Sequence, residues 1–400
     1  MIPAAGYQDY MYGLLKKVID EIGPRPACSE AERKLAGLLV GEWTPRTDSV
    51  SVETFTCHPD AFLGFLRLSV AAYLVALALY WFYPLPALIV SAFGLSLIFL
   101  ELVRYREVVD FLFPKRRGAN VAATIRPKGQ VEKRVIVSAH QDSAYEFWLW
   151  YRLGNAALLL MVVGLAAMVL LFAASLAKTI GTYAGFGEAG AFAGIGIAAA
   201  VLAPVVAIFF FFRSDTAVPG AMDDMSGVAV VAGLARYLEE AKKDQGYYPR
   251  KTEIVLLATS SEEAGLRGAK RYARKHREDM KKIPTFAVFL DGVYDERYLT
   301  ITCRELFTGA RHDPVLVKAA QDAAAGHGWE SRTRSLLLGA TDASAFSLEG
   351  VSSVCLHCAD TSRLTRNYHT REDTCEHVRP ESLSVMLQMV VDMIQRIDEK

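Results

Sequence analysis

Along most of this chain apolar positions recur in short runs between polar ones, but residues 62–103 and 153–212 are almost continuously apolar. Each block divides into two helical spans. The first runs over 62–82, turns at 83–86 and returns over 87–103. At about 1.5 Å per residue these spans reach roughly 31 and 26 Å, close to the hydrocarbon thickness of a bilayer. The second block runs over 154–175, crosses a short segment holding Lys178 and Glu188, and returns over 189–212. The pattern predicts two transmembrane hairpins, four crossings in all. The competing reading, core helices of a large soluble protein, fits poorly with apolar runs beyond about 18 residues that carry almost no charge. Arg67 and Glu101 are the only charges within the spans. They lie near the span ends, where they can reach the interface or pair with each other. Gly190 and Gly194 would permit a close helix approach, but the motif alone favours apolar filler.

Outside the blocks the period switches between helix and strand. Helices are expected at 8–22, 29–39, 228–242, 268–275, 314–325 and 380–397, the second begun by Ser29 and Glu30 after Pro26. Strands are expected at 50–56, 120–125, 134–138, 253–258, 285–290 and 352–356. Such alternation predicts an α/β fold, a three-layer αβα sandwich around a mixed, mainly parallel sheet. The domain would be discontinuous, over 1–61, 104–152 and 213–400, with the hairpins 62–103 and 153–212 inserted into it.

Composition sharpens this picture. Of 400 residues 52% are hydrophobic and 22% charged, and 44 basic side chains balance 44 acidic ones. A net charge of zero argues against nucleic acid as the main partner. Arg104, Arg106, Lys115, Arg116, Arg117, Arg152 and Arg213 flank the span ends nearest the soluble segments, whereas the far loops offer Lys178. The positive-inside rule then predicts a multi-pass membrane protein with its soluble domain in the cytoplasm. The first residues, MIPAAGYQDYMYGLL, show no basic region followed by an apolar stretch, so no cleavable signal is expected. The six cysteines fit free thiols, with Cys355 and Cys358 in the core run SSVCLHC.

In open α/β sheets ligands bind beyond the carboxyl ends of the strands, and the reactive side chains fall there. One strand ends in His140-Gln141-Asp142, another in Ser260-Ser261-Glu262-Glu263, a third in Asp291-Gly292. A glycine-flanked acidic turn, Gly220 to Gly227, leads into a helix, and Asn367-Tyr368-His369 follows near the end. Carboxylates and imidazoles gathered in one place would repel or take up protons unless a divalent metal joined them.

The segments HQDS, GAMDDMSG, SSEEAGLRGA, LDG and NYHTREDT resemble, in order, the motifs of the aminopeptidase Y and bacterial leucyl aminopeptidase family, the dizinc exopeptidases of clan MH. IGPRPACSEAERKLAGLL resembles that family's opening. The resemblance implies two Zn2+ bridged by Asp223, one completed by His140 and Asp291, the other by Glu263 and His369. It also implies that Glu262 is the general base and that Asp142 orients His140. Cobalt and manganese suit such donors as well. Asp224 is also acidic, so the choice of Asp223 as the bridge rests on motif register. In the segment GATDASAF, Ala343 stands where the family has histidine. His58, His276, His312, His327, His357 and His377 match no ligand position. The function expected is a membrane-anchored aminopeptidase whose metal centre lies near the bilayer, the anchor either favouring membrane-associated peptides or serving only as a tether. The alternatives are a carboxypeptidase or dipeptidase, a glutaminyl cyclase-like acyl transferase, and a non-catalytic peptide-binding protein.

Overall fold

The computed structural model describes residues 4–185, 189–243, 246–360 and 367–400. Its helices are α1 (Gln8–Glu21), α2 (Glu30–Trp43), α3 (Phe65–Tyr80), α4 (Pro84–Leu97), α5 (Trp148–Leu153), α6 (Asn155–Ala184), α7 (Ala189–Ala207), α8 (Ser226–Lys243), α9 (Arg267–Met280), α10 (Pro314–Gly326), α11 (Asp342–Leu348) and α12 (Pro380–Glu399). Its strands are β1 (Ser49–Cys57), β2 (Arg116–Ile125), β3 (Lys133–His140), β4 (Tyr145–Phe147), β5 (Arg213–Ala217), β6 (Thr252–Thr259), β7 (Thr285–Val293), β8 (Leu299–Glu305), β9 (Arg332–Leu336) and β10 (Ser352–Cys358). The chain divides into two compact units. One holds Met1–Pro59, Lys115–Tyr145 and Thr216–Lys400, the other Asp60–Pro114 and Glu146–Asp215.

The first unit is built on an eight-stranded sheet of order β1-β2-β6-β3-β7-β10-β8-β9. The four central strands, β6, β3, β7 and β10, run parallel, while β1, β2 and the β10–β8 pair add antiparallel neighbours. Strand alternation divides the core between two faces. Val135, Val137, Ile254, Leu256 and Val288 pack with α1, α2, α8, α10 and α12. Ile136, Val255, Leu257, Ala287 and Phe289 pack with α9 and α11. The six predicted strands and six predicted helices of this unit are all present. Strands β8 and β9 were not predicted. Four of the five β9 residues are exposed, so no apolar alternation marks this edge. Ser29 caps α2, accepting from the Glu32 N–H at 3.1 Å.

In the second unit, four stretches are long and apolar enough to cross a membrane: Pro59–Tyr80, Pro84–Val103, Asn155–Ala184 and Phe192–Phe211. Its centre packs Ala76, Ala87, Ala167, Ala174 and Ala199 with larger side chains such as Tyr73, Tyr80, Met168 and Leu171. Further large apolar side chains, among them Ile89, Phe93, Val162 and Val201, are exposed. Such an apolar exterior suits helices surrounded by hydrocarbon. Close approaches occur at Gly94 and Gly196. A Cβ added at Gly94 would stand 3.1 Å from that of Ala72, and one at Gly196 would stand 2.7 Å from the Tyr80 ring. A Cβ added at Gly190 or Gly194 would meet nothing within 4 Å, in keeping with apolar filler there.

Two further expectations change. The segment holding Lys178 is not a loop but the continuation of α6, because the Lys178 ammonium donates to the Tyr80 carbonyl at 2.6 Å. Glu188 lies outside the described residues. Glu101 is buried and accepts from the N–H groups of Val108 and Val109 at 2.7 and 2.9 Å, and the Arg67 guanidinium lies 5.5 Å from the centre of the Phe210 ring.

Candidate metal centre

The sheet's register sets the site. His140, the last residue of β3, pairs with Thr259, the last of β6. Ser138 pairs with Phe289, and two residues further along each strand come His140 and Asp291. Glu262 and Glu263 follow in the turn after β6, Asp223 lies in the turn before α8, and His369 lies between β10 and α12. The parallel strands thus deliver all five expected ligands to one end of the sheet.

Asp223 is the centre of the cluster. Its Oδ1 is 2.9 Å from His140 Nε2 and its Oδ2 is 3.1 Å from His369 Nε2, which is also 3.1 Å from Glu263 Oε1. Donor atoms of His140, Asp223 and Asp291 lie within 4.8 Å of one another, as do those of Asp223, Glu263 and His369. Two donor triads therefore share one carboxylate. Asp224, joined to Asp223 by a cis peptide, has other partners. It accepts from the backbone N–H groups of His140, Gly227 and Gly292, each at 3.2 Å. Motif register chose Asp223, and the surroundings of the two acids differ.

Asp142 touches both His140 and the turn that carries the two glutamates. Its carbonyl lies 3.1 Å and its carboxylate 3.5 Å from His140 Nδ1. The carboxylate also accepts from the Glu262 and Glu263 N–H groups, both at 3.0 Å. One residue thus faces the imidazole and fixes the glutamate turn.

Residues beyond those expected also hold the site. Asp373 accepts from the N–H groups of Met222 and Asp223. Asn120 and Glu32 accept from those of Ser260 and Ser261. The buried Arg25 guanidinium donates to the carbonyls of Gln141, Gly23, Pro219 and Gly220 at 2.8 to 3.1 Å. Arg25 and Asp373 lie inside quoted motifs, yet nothing local in sequence marks their partners, which, Gly23 apart, stand more than a hundred residues away.

The electrostatics call for a cation. Burial pushes the carboxyls of Glu262 and Asp224 well above their ordinary range, and also raises Glu263 and Asp291. Burial opposes ionisation of Asp223 too, but hydrogen bonds from His140 and His369 outweigh it and hold its carboxyl low. Burial works against a charged His369, but Glu263 and Asp223 push its pKa up to about 10. Protons are thus drawn in to offset a buried excess of negative charge, as a divalent ion would do. Imidazole nitrogens and carboxylate oxygens suit zinc, so the donor set fits. Beside the centre a small cleft is lined by His140, Asp291, Thr341 and Asp342. The segment with Ala343 in place of histidine thus contributes a carboxylate there.

Residues 206–394 match the model of peptidase family M28. A search of curated proteins finds no match. Among solved structures, a zinc aminopeptidase from Bacillus subtilis is 15% identical, covering 98% of this chain and 95% of that one, with a TM-score of 0.58. A glutaminyl cyclase from an Acidobacteriales bacterium is 15% identical, over 100% and 97%, with a TM-score of 0.59. A leucine aminopeptidase precursor from Bacteroides thetaiotaomicron is 14% identical, over 97% and 96%, with a TM-score of 0.55. At these identities the likeness is one of fold.

Proposed function

This chain is a metallopeptidase carrying a peptidase family M28 domain, and from that premise we propose that it is a membrane-anchored aminopeptidase working with two zinc ions. The observation that carries the reading is the pair of donor triads sharing Asp223. His140, Asp223 and Asp291 would hold one ion, and Asp223, Glu263 and His369 the other. Bound there, the ions supply a lowered pKa for a shared water and polarise the scissile carbonyl. Glu262 takes a proton from the attacking water and delivers it to the leaving amine. Its carboxyl, raised by burial, is suited to both steps. Asp142 holds the Glu262 main chain so that the base stays beside the ligands. The excess of buried carboxylates favours a substrate's ammonium group over its carboxylate, which supports recognition of the amino end.

The four apolar stretches support a four-pass anchor. The basic residues flanking them, Arg104, Arg106, Lys115, Arg116, Arg117, Arg152 and Arg213, support a cytoplasmic peptidase unit by the positive-inside rule. The second hairpin is spliced into the chain between His140 and Asp223, which supports peptides presented near the bilayer as substrates.

The test offers detergent-purified protein one peptide in free, N-blocked and C-blocked forms, with and without chelator. Cleavage of the free and C-blocked forms is expected, abolished by chelation and restored by zinc or cobalt. Cleavage of the free and N-blocked forms but not the C-blocked one would make the enzyme a carboxypeptidase. Cyclisation of an N-terminal glutamine without cleavage would favour the cyclase reading.

A further inference from the structure

A ring nitrogen of His357, a carboxylate oxygen of Asp291 and the sulfur of Cys355 lie within 4.8 Å of one another. They come from two adjacent parallel strands. Cys355 pairs with Phe289 and Leu356 with Leu290, after which the register shifts before Cys358 pairs with Val293. Asp291 and Gly292 together thus stand opposite His357, a bulge at which Gly292 takes a φ of +71°. The His357 Nδ1–H donates to the Asp291 carbonyl at 2.7 Å.

That bond leaves the lone pair of the imidazole on Nε2. His357 is 5% exposed, and its Nε2 is buried without a hydrogen-bond partner among the described residues. Buried polar atoms are ordinarily satisfied. A histidine whose far N–H is given to a backbone carbonyl is also the usual arrangement of a metal ligand. Cys355 is fully buried beside it and forms no disulfide. Thiolate, imidazole and carboxylate together select a thiophilic cation.

We propose that Asp291, Cys355 and His357 form a further metal site, flanking the peptidase centre, that takes a thiophilic divalent ion such as Zn2+, Co2+ or Cd2+. The Cys355 thiol gives its proton to solvent as the metal–sulfur bond forms, and a water completes four-coordination. The site shares Asp291 with the proposed two-zinc centre, and in this respect it rests on that reading. Occupation draws an Asp291 oxygen toward the sulfur, so metal beyond the centre's own complement inhibits hydrolysis.

Cobalt reports the site directly, because the peptidase donors contain no sulfur and Cys355 does. Detergent-purified full-length protein titrated with Co2+ is expected to develop a sulfur-to-cobalt charge-transfer absorption in the near ultraviolet. Cys355→Ser should abolish it, and His357→Gln should shift its midpoint to about tenfold higher cobalt or more, with circular dichroism confirming that both variants are folded. No such absorption in the wild type at saturating cobalt overturns the proposal, as does absorption that survives Cys355→Ser. His369→Ala separates the two readings. It should stop hydrolysis while the absorption remains, and full activity in that variant would count against the peptidase centre without touching the sulfur site.

Discussion

Glu262 and Glu263 are consecutive, and one Asp142 carboxylate receives both of their N–H groups. Glu263 then reaches His369, whereas Glu262 belongs to neither of the triads that share Asp223. Glu262→Gln keeps shape and hydrogen bonding but removes the proton acceptor. Its kcat is expected to fall about 10² to 10⁴-fold with bound zinc unchanged, measured by initial rates alongside metal analysis. Zinc lost together with activity would make Glu262 a ligand and not a base. At this scale the sequence marks chemistry better than support. His140, Asp223, Glu263, Asp291 and His369 stand in recognisable local patterns at strand ends. Arg25, Asp373 and Asn120 act through backbone atoms distant in the chain, and such partners are created only by the fold.

Among the elements, α8 shows how closely the site and its supports are packed. A Cβ at Gly227 would lie 2.6 Å from both Asp224 carboxylate oxygens, which are engaged with the ends of β3 and β7. Gly227→Ala therefore pushes against three backbone contacts at once. It is expected to destabilise the protein by about 1–3 kcal/mol, read as a lowered Tm. An unchanged Tm would show that Asp224 is free to move. The central strands β3, β6, β7 and β10 were legible because burial on both faces writes them as apolar runs. The β9 edge strand is largely exposed and leaves no such trace. In the other unit, Lys178 looked like a loop residue, but its bond to the Tyr80 carbonyl lets α6 continue past it.

For the whole molecule, the apolar exterior of the second unit carries a direct expectation. Val201, in α7, is 71% exposed. In a membrane helix Val201→Arg places a charge in hydrocarbon, at a cost of about 2.5–3.5 kcal/mol near the helix centre. The fraction of protein retained in alkali-washed membranes should fall, and equal retention would argue that α7 does not face lipid. Arg25 has a further, mechanical consequence. The chain leaves the peptidase unit after Tyr145 and returns at Thr216. Just inside those points the Val218 N–H donates to the Ala144 carbonyl, Ser143 Oγ donates to the Val218 carbonyl, and Arg25 bridges Gln141 to Pro219 and Gly220. A pull on residues 146–215 would meet these rivets before it reached His140 or Asp223, so the two donors would keep their spacing.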